Sequence, residues 1–76
     1  MQRSLSTIAK DIRSDWSTIT PYARPYLNAM LSLDKVSDNY YADSGKSVVL
    51  YFLSNAASWR GETARRIKAE LKEMVK

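Results

Sequence analysis

The chain has 76 residues, without cysteine or histidine, and twelve Lys and Arg outweigh eight Asp and Glu to give a net charge of +4. Missing thiols and imidazoles exclude disulfides, thiolate metal sites, cysteine nucleophiles and the commonest general base and zinc ligand. The length allows one domain, residues 1–76, near the lower limit for a core without staples, and 45% hydrophobic residues suffice to build that core.

The opening Met1-Gln2-Arg3-Ser4 leads straight into an amphipathic pattern without an apolar signal core. The longest apolar run, Val48 to Leu53, falls far short of the ~20 residues a membrane span needs. A soluble, cytoplasmic protein without membrane contact is therefore expected. Leu5, Ile8, Ala9, Ile12, Trp16 and Ile19 recur at spacings of three and four. They fall within an arc of roughly 100°, which predicts a surface helix with one buried face, and Ser4 or Ser6 supplies its N-cap. Thr20-Pro21 then reads as an N-cap followed by proline in the first turn. With Pro25, either residues 21–24 form a short turn and the next helix starts at Pro25, or one helix starts at Pro21. Tyr26, Leu27, Met30, Leu31 and Leu33 form its buried stripe, and residues 34–39 are the most loop-like segment.

The stretch "ADSGKSVVLYFL", residues 42 to 53, ends a phosphate-loop pattern in Gly45-Lys46-Ser47, but the first glycine of that pattern would fall at Tyr40 and no strand precedes it. A strand is also excluded, because no second alternating run offers it a partner. The segment is read as a central helix. Tyr41, Gly45, Val48, Val49, Phe52, Leu53 and Ala56 share its broad apolar face, with Gly45 marking close approach of a neighbouring helix. Ser58 is the expected cap of the last helix, and Gly61 falls in its first turn. Ala64, Ile67, Leu71, Met74 and Val75 form its seam, and Glu62–Arg66 and Arg66–Glu70 are favourable pairs on its back. The expected fold is all-α, a compact bundle of three to four helices.

Four features are candidates for function. Arg65, Lys68, Lys72 and Lys76 line one flank of the last helix and suit phosphates. The segment "TIAKDIRSDWSTITPYARPYL" has the rhythm of a helix-turn-helix that would present Ser17, Thr18, Tyr22 and Arg24 to DNA. Against it, Arg13 stands where such turns favour glycine, and two prolines interrupt the recognition helix. Asp11 and Asp15, one turn apart, form a carboxylate pair of the kind that binds Mg²⁺, weighed against a simple solvated face. The spacing of Asp34 and Asp38 fails as a calcium loop because Val36 lies between them. Finally, Leu50 and Tyr51 project away from the core face beside the small Ser47 and Ser54, which suits a partner helix or self-association.

"YYADSGKSVVLYFLSNAASWRGETARRIKAELK", with "IAKDIRSDW" and "PYLNAM", resembles a group of short proteins encoded by bacteriophages, prophages and related mobile elements. Asp43-Ser44-Gly45 and Trp59-Arg60-Gly61 are the most distinctive parts of that resemblance. It implies a small accessory protein in the cytoplasm of a bacterial host, acting by binding, and assigns no catalytic or binding residue. The favoured expectation is a non-enzymatic protein without cofactor or metal that binds a protein partner through Leu50, Tyr51 and the basic flank. The alternative is a nucleic-acid-binding module. Arg60 is expected to bridge back to Asp43 at the junction of the last two helices.

Overall fold

The computed structural model describes residues 3–76; Met1 and Gln2, part of the opening stretch read for a signal core, lie outside the described residues. Helix α1 (Leu5–Asp15) begins where Ser4, in extended conformation, accepts the Thr7 N–H on its Oγ at 3.2 Å. The Leu5 and Ser6 amides are satisfied from outside the helix, by the carbonyls of Asp34 and Leu33 at 2.9 Å each. Leu5, Ile8, Ala9 and Ile12 are buried, as the periodicity requires.

The helix stops at Asp15, earlier than the stripe through Ile19 implies. Ser17-Thr18-Ile19-Thr20 is a run of weak helix formers, and Thr20 precedes a proline that disfavours the helical region for it. Trp16 leaves the helix in extended conformation yet remains buried, so its apolar position was legible although its backbone was not. The Ala23 and Arg24 amides both donate to the Thr20 carbonyl at 3.1 Å, closing a turn over residues 21–23. Helix α2 (Arg24–Met30) follows, with Pro25 in its first turn, where the missing N–H costs nothing. Of the two arrangements open for this segment, the short turn is the one adopted.

The fold is mostly helical but not strictly all-α. A two-residue hairpin, β1 (Asn39–Tyr40) against antiparallel β2 (Asp43–Ser44), pairs Asn39 with Ser44 and Tyr40 with Asp43. Such short strands carry no alternation for sequence reading to detect. Tyr41 sits at the tip with φ 56° and is 90% exposed, so it does not belong to the apolar face of the following helix.

Helix α3 (Gly45–Ser54) is the central element; Val48, Val49 and Phe52 are buried. Its first three amides are consumed locally. Gly45 N–H donates to the Asp38 carbonyl at 2.6 Å, Lys46 N–H to the Val36 carbonyl at 2.9 Å, and Ser47 N–H to Ser44 Oγ at 3.1 Å. No amide of the Gly-Lys-Ser triplet is left to cradle a phosphate, which accounts structurally for the failed phosphate-loop pattern. Gly45 is required by a close approach, but its neighbour is the 35–36 loop backbone and not a helix. A Cβ there would lie 2.7 Å from the Lys35 carbonyl oxygen and 3.0 Å from Val36 Cα and its carbonyl oxygen.

Helix α4 (Glu62–Met74) starts after Gly61 rather than at Ser58. Gly61, at φ 114° and ψ 178°, occupies a conformation that is essentially glycine-only. This sharp entry lets Trp59 turn inward, where it is 2% exposed. Ala64, Ile67, Leu71 and Met74 complete one hydrophobic core with α1, α2 and α3. Among the described residues no polar or charged side chain is buried, so core cohesion comes from apolar packing.

Because the atoms facing Gly45 are backbone and cannot rotate away, Gly45→Ala is expected to lower unfolding free energy by about 2 kcal/mol in urea denaturation. A neutral or stabilising effect would contradict the tight loop contact.

Candidate functional site

The outward side of α3 presents Leu50 and Tyr51, which are 44% and 52% exposed. They lie opposite Val48, Val49 and Phe52 on the helix, so packing against the core leaves them uncovered. Tyr51 is not loose. Its ring stacks on Tyr26 of α2 with centroids 5.3 Å apart and planes 28° from parallel. Ser47 and Ser54 stand one turn below and above on the same side. The Ser54 hydroxyl donates to the Leu50 carbonyl at 3.0 Å, and Asn55 Nδ2 to the Tyr51 carbonyl at 2.9 Å. Those two carbonyls are thus covered from within the last turn of α3, and Leu50 and Tyr51 remain exposed with serines on either side.

The basic flank of α4 divides. Arg65 and Lys72 are exposed, while Lys76 pairs with Glu73 at 3.1 Å on the surface, a contact of little energetic weight. Lys68 is half-buried, and its Nζ donates to the Trp59 carbonyl at 2.6 Å and lies 5.8 Å from the centroid of the Trp59 ring. Partial burial first, then the nearby charges of Lys72 and Arg60, push its pKa below the ordinary lysine value. One of the four expected surface cations is therefore partly a structural group. Arg60, not counted in the flank by sequence reading, joins it.

Arg60 does not bridge to Asp43. Among the described residues it has no ion pair, and its side chain is exposed. Asp43 precedes α3 and Arg60 follows it, so the length of the helix, about 15 Å at 1.5 Å per residue, keeps them apart. The junction is fixed by its neighbour. Trp59 Nε1 donates to Asp15 Oδ2 at 2.9 Å, and its indole stacks on Trp16 with centroids 5.7 Å apart and a 12° interplanar angle. Phe52 meets both indoles edge-on at 6.3 and 6.4 Å.

Asp11 and Asp15 do not act as a pair. Asp15 serves Trp59, while Asp11 accepts Arg3 Nη1 at 2.6 Å. The same guanidinium grips Glu70 on both oxygens, at 2.9 Å from Nε and 2.7 Å from Nη2. Glu70 is thus taken by Arg3 across sequence instead of by Arg66 along the helix, and that bond holds its carboxyl below the usual range. No sequence periodicity signals a partner so distant along the chain. Asp38 is likewise consumed, accepting the Asp34 and Lys35 amides on Oδ2 at 3.2 and 3.1 Å.

The helix-turn-helix reading fails on geometry. Ser17 and Thr18 lie in the non-helical stretch after α1, Tyr22 lies in the turn, and α2 is only seven residues long with Leu27, Ala29 and Met30 buried. An open groove of about 440 Å³ runs between residues 15–20 and Ser58–Arg60. Its two indoles are buried, at 6% and 2% exposure, so it offers no aromatic face to a ligand. Among the described residues no helix is long and apolar enough to cross a membrane. No protein-family model, curated protein or solved structure matches this chain.

Two measurements check these contacts. Removing the acceptor of the Trp59 indole by Asp15→Ala leaves a buried N–H unpaired and is expected to cost about 1–3 kcal/mol and to change tryptophan fluorescence. The Glu70 carboxyl has a lower pKa folded than unfolded, so the unfolded state binds more protons. Its contribution is then present above the unfolded value of about 4.3 and lost as pH falls through the folded one. Glu70→Gln should flatten the acid limb of a stability-against-pH curve; an unchanged slope would show that the Arg3 contact has no such effect.

Proposed function

We propose that this chain is a small non-enzymatic accessory protein, of the kind carried by phages and mobile elements, that works in the bacterial cytoplasm by binding another protein. The observation that carries the reading is the side-by-side exposure of Leu50 and Tyr51 on a core helix, with Tyr51 already held by Tyr26. Tyrosine brings large contact area at low entropic cost, and a ring fixed before binding loses still less freedom. The chain has neither histidine nor cysteine, and its half-buried lysine is committed to a backbone carbonyl. Its half-buried lysine is thus engaged in holding the fold rather than free for chemistry in a cleft. Leu50 and Tyr51 together changed to serine should abolish partner binding in a pull-down while the chain still folds, its melting temperature lowered by loss of the Tyr26–Tyr51 stack. Undiminished binding would move the interface elsewhere.

A second reading, nucleic-acid binding, is favoured by one specific observation. Arg60 and Lys72 lie near enough to Lys68 to add to the effect of its burial in lowering its pKa, so three cations gather near the Lys68 amine. A phosphate would relieve that mutual repulsion. Arg65 and Lys76 would extend such a surface along α4. Titration with random duplex DNA separates the readings: electrostatic binding weakens steeply with added salt and falls on Lys72→Glu, whereas no binding at low salt eliminates it.

A further inference from the structure

We infer that the outward face of α3 docks a second copy of this chain, α3 against α3, antiparallel about a two-fold axis. The inference rests on this face being the binding surface proposed above and names its occupant. Ser47, Leu50, Tyr51 and Ser54 read the same in both directions in size and spacing: small, large, large, small. The midpoint of the pattern falls between Leu50 and Tyr51. A two-fold contact must be self-complementary, and an antiparallel crossing at that midpoint meets the condition. The Leu50 and Tyr51 side chains of both copies then form one central layer. Ser47 of each copy lies level with Ser54 of the other, and these small residues let the two helices approach closely.

Charge complementarity points the same way. Lys46 is the only charged residue in α3 and lies exposed in its first turn, next to Leu50 on the helix surface. The last turn of α3 carries no basic residue, so the negative end of its dipole has no cation of its own. The antiparallel crossing brings Lys46 of one copy level with Asn55, the C-cap, of the other. It does so twice, by symmetry, and it sets no like-charged side chains of α3 level with one another. The remaining opposition comes from the overall charge of +4 per chain, which salt screens. Salt screens both this repulsion and the attraction of Lys46 to the helix end, so self-association through this face depends only weakly on salt, unlike binding of a nucleic acid. One helix face buries less than the about 800 Å² per partner of a standard interface, so the dimer is weak and forms at high micromolar concentration.

Sedimentation equilibrium of the full chain, from about 10 μM to about 1 mM at low and moderate salt, reads this directly. The expected result is a concentration-dependent monomer–dimer equilibrium at both salt levels. Two double variants test the register, each checked for an unchanged melting curve. Ser47→Lys with Ser54→Lys sets like charges level and should weaken the dimer about tenfold or more; Ser47→Lys with Ser54→Glu sets opposite charges level and should preserve or tighten it. A monomer throughout the range, or equal behaviour of the two variants, overturns the inference. If the parent stays monomeric while Leu50→Ser/Tyr51→Ser abolishes binding to a different protein, the second copy is excluded and the broader reading stands.

Discussion

Trp59 is held from three sides, and the rest of the molecule is arranged around that hold. Its indole N–H is fixed by Asp15 at the end of α1, its carbonyl by Lys68 of α4, and its ring by Trp16. Phe52 of α3 closes the cluster edge-on. A small chain without disulfide or metal has few ways to join its elements, and burying two tryptophans against one phenylalanine supplies much of its apolar area at one point. The polar rim of that cluster costs little because each buried polar atom finds a partner: among the described residues no buried side-chain nitrogen or oxygen is unpaired.

The surface available for binding follows from this arrangement. Drawing Trp59 inward requires the glycine-only turn at Gly61, which sets the start of α4 and brings Lys68 over the indole. Lys68 is thereby removed from the free basic flank, and Arg60 is left exposed. On the opposite side, Phe52 and Val49 commit one face of α3 to the core, which obliges Leu50 and Tyr51 to face away. An apolar face and a group of exposed cations are thus two outcomes of the same packing. The apolar face is ordered in advance by the Tyr26–Tyr51 stack, whereas Lys68, Lys72 and Arg60 repel one another.

Much of this was legible in the residues. The buried stripes of α1, α3 and α4, the N-cap at Ser4, the need for close approach at Gly45 and the outward position of Leu50 and Tyr51 all follow from helical periodicity and propensity. What escaped was set by tertiary contact. Trp16 fits the α1 stripe whether or not the helix continues, so periodicity could not show that the backbone breaks at Asp15. The hairpin over residues 39–44 is too short to carry a pattern, and it displaced Tyr41 from the helix face assigned to it. Arg3–Glu70 and Trp59–Asp15 join residues far apart in the chain, whereas local spacing paired Glu70 with Arg66, and Arg60 was expected on Asp43. The glycine at position 61 was visible, but its positive φ, which decides where α4 begins, depends on the inward turn of Trp59.

The arrangement is tested most directly by hydrogen exchange of the Trp59 indole proton alongside the amides of Val48, Val49 and Phe52. If the junction joins α1, α3 and α4 into one cooperative unit, that proton exchanges only through global unfolding, at the same opening free energy as those core amides. An indole proton that exchanges orders of magnitude faster, while the α3 amides stay protected, would show that the junction opens on its own and does not hold the fold together.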